Sequence, residues 1–153
     1  MKTLFAFIPL VVVLACAGCA TPARPRVAQD EVGRIRAVLE EQVAAWNRGS
    51  IDGFMAGYLR SADTRFASGG DVTMGWDTVR DRYGKRYATR EQMGRLQFEL
   101  MEIRPLSRRE ALVFGRWKLM RAEDAPTGLF TLLMKRTPEG WRIEHDHTSA
   151  ATP

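Results

Sequence analysis

Gly140-Trp141-Arg142-Ile143-Glu144-His145-Asp146-His147-Thr148-Ser149 reads as the closing β-strand of this chain. In an extended strand, residues i and i+2 share a face. Regular alternation therefore puts Trp141, Ile143, His145 and His147 on one face. Arg142, Glu144, Asp146 and Thr148 fall on the other. The two histidines are the only ones in the chain. Two imidazoles beside large apolar groups predict the wall of a pocket. Asp146, on the opposite face, is the other candidate for chemistry, with a surface or dimer-interface position as the favoured reading.

Working back from that strand, Thr137-Pro138-Glu139-Gly140 is a turn, and Gly128 to Lys135 is a strand rich in Leu and Phe. Glu123-Asp124-Ala125-Pro126 is another turn. Ala111 to Arg121 is a long strand with Val113, Trp117 and Leu119 on one face. Leu96, Phe98 and Leu100 alternate with polar neighbours after Gly94. Further upstream the period changes. Val79, Tyr83 and Tyr87 recur every four residues, predicting a helix over 76–88. Thr64 to Ser68 and Val72 to Met74 read as two short strands joined at Gly69-Gly70-Asp71. Val32, Ile35, Val38, Leu39, Val43 and Trp46 mark a long amphipathic helix, with Asp30 as its cap. Gly49 stops it, and Ser50 starts a shorter helix carrying Ile51, Phe54, Met55, Tyr58 and Leu59. Helices followed by meandering strands define an α+β fold, with N-terminal helices packed on a curved antiparallel sheet. Such a sheet leaves a cavity at its open end.

The N-terminus reads differently. Lys2 is the only charge before Arg24, and Leu4 to Ala15 is a short apolar run. That order is a secretory signal, too short for a comfortable transmembrane helix. Leu14-Ala15-Cys16-Ala17-Gly18-Cys19-Ala20 resembles a bacterial lipobox. Cys19, preceded by Ala17 and Gly18, is the expected lipidation site, and Cys16 is the alternative. Residues 1–18 are then the signal peptide, 19–29 a lipidated Pro-containing tether, 30–149 the folded domain and 150–153 a tail. Several acyl chains give stable membrane anchoring. Ala20 is not the aspartate that commonly retains lipoproteins in an inner membrane. The expected location in a Gram-negative host is therefore the periplasmic side of the outer membrane. No cysteine follows Cys19, so the domain has no disulfide.

The formal charge is +5, but Lys2, Arg24 and Arg26 precede the domain. Without them, 20 of the 23 basic residues stand against 18 acidic ones. Nucleic-acid binding needs a concentrated basic face, and this balance predicts none.

Three strings carry a resemblance to a known family: Trp46-Asn47-Arg48-Gly49-Ser50-Ile51-Asp52, Gly75-Trp76-Asp77-Thr78-Val79-Arg80, and Gly140-Trp141-Arg142-Ile143 with Asp146-His147-Thr148-Ser149. With the order of elements, they resemble a SnoaL-like domain of the nuclear transport factor 2-like superfamily over about residues 30–149. The resemblance implies a cystatin-like cone with a largely apolar pocket at its mouth, and often a homodimer. It does not imply one reaction. Isomerase relatives use a Tyr and carboxylates in an apolar pocket, and no string here matches that arrangement residue by residue.

His147 and His145 are the candidate general acid/base residues, because imidazole titrates near neutrality. His147 falls within the resemblance. Phe130 and Leu132 on the preceding strand share the pocket face if the hairpin keeps its parity. Trp46, Tyr58 and Trp117 belong to core or pocket lining. Arg82 and Tyr83, with Arg86, either present cations and a phenol to the pocket mouth or leave the arginines in water. Two histidines lack the third protein ligand of a catalytic zinc site, so no metal is expected. No phosphate-binding loop, nucleophile elbow or domain cysteine is present, and no cofactor is expected. Three functions stay open. The domain binds a small, mostly apolar molecule, works as a cofactor-independent lyase, isomerase or hydrolase, or serves as a dimeric scaffold.

Overall fold

A computed structural model describes residues 26–151. The signal peptide, Cys16, Cys19, the first part of the tether and the last two residues of the tail lie outside the described residues.

Helix α1 spans Arg26–Asn47. It begins four residues before Asp30, which is therefore inside the helix and not its cap. Glu31 holds the early turns: Arg136 Nη1 donates to its Oε1 at 2.7 Å, and Trp141 Nε1 donates to its Oε2 at 2.6 Å. Ile35, Leu39, Gln42 and Trp46 then recur at helical spacing and are buried. Helix α2, Ile51–Met55, starts at Ser50, whose hydroxyl accepts from Gly53 N at 3.0 Å.

Strands β1 (Arg65–Ser68) and β2 (Asp71–Met74) form a hairpin. Helix α3 is Trp76–Arg86, and a one-turn helix α4, Arg90–Met93, comes after it. Strands β3 (Arg95–Pro105), β4 (Glu110–Met120), β5 (Thr127–Thr137) and β6 (Gly140–Thr148) then meander. The sheet order is β2-β1-β6-β5-β4-β3. All neighbours are antiparallel except β1 and β6, which run parallel. The α+β expectation holds, with helices on one face of the sheet.

The inner face carries Leu96, Val113, Leu119, Phe130, Leu132, Met134, Trp141 and Ile143 against α1. Burying each large apolar side chain contributes about 1.5–3 kcal/mol. Gly115 sits opposite Phe130, and a Cβ there would lie 2.5 Å from the ring. The missing side chain is the space the ring occupies.

The strings that carried the family resemblance do structural work. Asn47 brackets the start of β3: its Nδ2 donates to Leu96 O at 3.1 Å, and its Oδ1 accepts from Leu96 N at 2.8 Å. Trp46 Nε1 donates to Met93 O at 2.9 Å. Gly75 adopts φ 86°, a left-handed turn open to glycine, and launches α3. Trp76 Nε1 then donates to Met55 O at 3.0 Å, joining α3 to α2.

Two register shifts break the alternation of the sheet. One falls between Leu100 and Glu102 on β3, and the other opposite Leu133 and Met134 on β6. The second decides the chemistry of the cavity. Ile143 pairs with Met134, His145 with Leu133 and Asp146 with Leu132, leaving Glu144 as the extra residue. The bulge has a cause. Up to Ile143, the outer edge of β6 bonds to the segment after α2: Ile143 N donates to Gly57 O, and Leu59 N donates to Ile143 O. From His145 onward the same edge pairs with β1. Glu144 sits where β6 changes partners, and a bulge reverses the phase of the residues beyond it.

Candidate functional site

A cavity of about 410 Å³ opens between α3, the β1–β2 hairpin and the inner face of the sheet. Trp46, Tyr58, Arg82, Tyr83, Trp117, Phe130 and Leu132 all line it. His145 and His147 do not. The bulge at Glu144 turns both onto the outer face of the sheet, so the expected shared face with Trp141 and Ile143 is corrected. His145 is half-buried beside Arg65 and opposite Leu133, and His147 is exposed opposite Thr131. Partial burial, then Arg65 and His147, lower the His145 pKa from its usual value.

The same phase change sends Asp146 and Thr148 inward. Asp146 is 5% exposed and lines the cavity. It is neither a surface nor an interface residue, which corrects its expected position. Tyr58 Oη donates to Asp146 Oδ2 at 2.6 Å, and Thr148 Oγ1 donates to Oδ1 at 2.6 Å. The Tyr58 and Tyr83 hydroxyls lie 3.4 Å apart. Tyr58 is placed by the strand-like bridge it makes with Ile143, one residue before the bulge. Tyr83 is placed by ring contacts with Trp46, Phe54, Phe66 and Tyr87.

The electrostatics arise from this enclosure. Burial raises the Asp146 pKa, while hydrogen bonds from Thr148 and Tyr58 and the nearby His147 oppose the rise. Asp146 makes no ion pair among the described residues. Burial, then the charge of Asp146, push the Tyr58 hydroxyl well above its ordinary value. Burial does the same to Tyr83, followed by Asp146, with Arg82 pulling the other way. Both phenols therefore remain protonated donors. A dry carboxyl with a raised pKa is suited to accept a proton or a hydrogen bond.

Phe54, Phe66, Phe98 and Tyr87 add four more aromatic rings to the lining. Gln42 lies at the inner end, and its Nε2 donates to Phe54 O at 2.9 Å. Gly69, Asp71, Arg86 and Ala150 are exposed and mark the opening. Asp146, Thr148 and Gln42 were missed as pocket residues by alternation alone. Gln42 was in principle legible, since it lies on the buried stripe of α1 between Leu39 and Trp46. Asp146 was not, because no local string marks the bulge. Among the described residues, no group of three or more His, Cys, Asp or Glu gathers where it could hold a metal.

Comparison with known proteins agrees with this fold. Residues 35–153 match the SnoaL-like domain family, and the chain belongs to it. A nuclear transport factor 2-like protein of unknown function from Shewanella oneidensis MR-1 is 41% identical, with a TM-score of 0.74 over 76% of this chain and 97% of that one. A ketosteroid isomerase-like protein from Erwinia carotovora atroseptica SCRI1043 is 19% identical, with a TM-score of 0.67 over 81% and 98%. A domain of unknown function with a cystatin-like fold from Nostoc punctiforme PCC 73102 is 22% identical, with a TM-score of 0.69 over 81% and 79%. The latter two likenesses show the fold alone. No curated protein matches the chain.

Proposed function

We propose that this is a lipid-anchored, periplasm-facing domain whose single pocket binds a small, mostly apolar molecule. The observation that carries the reading is the cavity of about 410 Å³, walled by aromatic rings and holding one buried Tyr58–Asp146 pair. Apolar walls with a few convergent polar groups are the usual make-up of a small-molecule site. The N-terminal signal and Cys19, with Cys16 as alternative, support the anchor. Native mass spectrometry of the purified protein tests the pocket. A co-purified small molecule, lost when Leu132→Trp fills the cavity, is the expected result. Equal ligand occupancy in both proteins contradicts it.

A second reading is favoured by the raised pKa of Asp146. In it the domain is a cofactor-independent lyase or isomerase, and Asp146 takes the role first given to the histidines. Asp146 accepts a proton from the bound molecule, and Tyr58 stabilises the carboxylate between turnovers. Asp146→Asn then lowers turnover by about 10²-fold or more while ligand affinity stays nearly intact. An Asp146→Asn protein with full turnover eliminates this reading and leaves the binding one standing.

A further inference from the structure

Helix α3 turns two arginines toward the cavity opening. Arg82 and Arg86 are one turn apart on one face, and both line the cavity. Among the described residues neither makes an ion pair or a side-chain hydrogen bond. Their neighbours on the chain differ. Arg80 pairs with Asp52 at 2.9 Å, and Arg90 Nη1 donates to Trp46 O at 3.0 Å. Arg86 lies in the last turn of α3, where a cation also offsets the helix dipole. Arg82 lies a turn earlier and has no such reason.

Both guanidinium groups rest on cavity-wall aromatics. The Arg82 Cζ lies 5.3 Å from the centre of the Phe66 ring, and the Arg86 Cζ lies 5.8 Å from that of Tyr87. Stacking of this kind holds the plane of the group while leaving its edge N–H donors for a planar anion. Two like charges one turn apart repel each other, and an anion between them removes that cost. The carboxylate of Asp71 at the opening is exposed. The inner end has the opposite character. The Asp146 carboxyl there would repel an anion. The cavity is therefore polarised, cationic at the mouth and acidic inside.

We propose that the ligand is an amphipathic organic anion, with its apolar body among the aromatic walls and its carboxylate or sulfonate at the mouth on Arg82 and Arg86. This rests on the pocket reading above and specifies its ligand class. An uncharged hydroxyl or carbonyl end faces Asp146, Tyr58 and Tyr83.

A matched pair of fluorescent probes tests it. N-phenyl-1-naphthylamine is neutral, and 8-anilinonaphthalene-1-sulfonate is the same skeleton bearing a sulfonate. The test protein is residues 26–153. Every core side chain of the described residues lies within it, and the match covers 97% of the Shewanella chain, so a chain of the domain's extent forms this fold. The sulfonate is expected to bind about tenfold more tightly than the neutral probe, as a charge-assisted contact at a partly dry site requires. The Arg82→Gln/Arg86→Gln double variant should close that gap by weakening the sulfonate, and continued binding of the neutral probe shows an intact pocket. Equal affinities in the unaltered protein overturn the anion proposal but not the pocket. A gap that survives the double variant does the same. Failure of both probes to bind overturns the pocket reading itself.

Discussion

Asp146 gathers more physical consequence than any other side chain in the domain. It is a buried carboxyl with two hydroxyl donors and no ion pair among the described residues. Removing one donor should be costly, since a buried acceptor left short loses its compensation. Tyr58→Phe is expected to destabilise the domain by about 1–3 kcal/mol, read as a shift in urea unfolding. The pH dependence comes from the raised pKa. In the folded state Asp146 keeps its proton to higher pH than in the unfolded chain. Its contribution is therefore fully present below the ordinary carboxylate pKa and lost as pH rises through the raised one. Asp146→Asn cannot lose it. The stability of that variant relative to the unaltered protein should improve between about pH 4 and pH 7. Unfolding midpoints at the two pH values check this, and an unchanged difference contradicts it. At this scale the sequence was partly legible. Trp46, Tyr58, Tyr83, Trp117, Phe130 and Leu132 stood out by size and spacing, and each lines the cavity. The histidines stood out by chemistry, and chemistry says nothing about which way a side chain faces.

The facing is set by elements. Strand β6 obeys strict alternation from Trp141 to Ile143 and again from His145 to Thr148, with the phase reversed at Glu144. The reversal comes from the edge of β6 serving two partners in turn, the segment around Tyr58 and then β1. Those partners lie some eighty residues upstream, so the strand's own sequence carries no sign of the bulge. The helices were easier to read, because Ile35, Leu39 and Trp46 report their burial through local spacing alone. The early start of α1 was not legible, since Glu31 is held by residues more than a hundred positions away. Glu31→Ala leaves the buried Trp141 N–H without an acceptor and frees Arg136. It should cost about 1–3 kcal/mol, measured by denaturant titration. A variant as stable as the parent would show that the anchor contributes little.

For the molecule as a whole, the fold builds its aromatic pocket between α3, the β1–β2 hairpin and the inner face of the sheet. None of the described helices is long and apolar enough to cross a membrane. The anchor proposed above is the lipid on the N-terminal cysteine. Cys19→Ser should abolish acylation and move the protein from the membrane to the soluble fraction, with the diacylglyceryl mass absent from its N-terminal peptide. Acylation that persists in this variant and disappears in Cys16→Ser assigns the lipid to the alternative cysteine. The homodimer implied by the family resemblance is open to sedimentation analysis of residues 26–153.

The bulge at Glu144 puts Asp146 inside the pocket and both histidines outside it. Carbon-detected NMR of labelled protein, recorded with and without saturating pocket probe, tests it most directly. The Asp146 carboxyl signal should move on binding and titrate above the ordinary carboxylate range. The imidazole signals of His145 and His147 should stay where they are. Imidazole signals that shift with the probe while the Asp146 carboxyl stays still would contradict it.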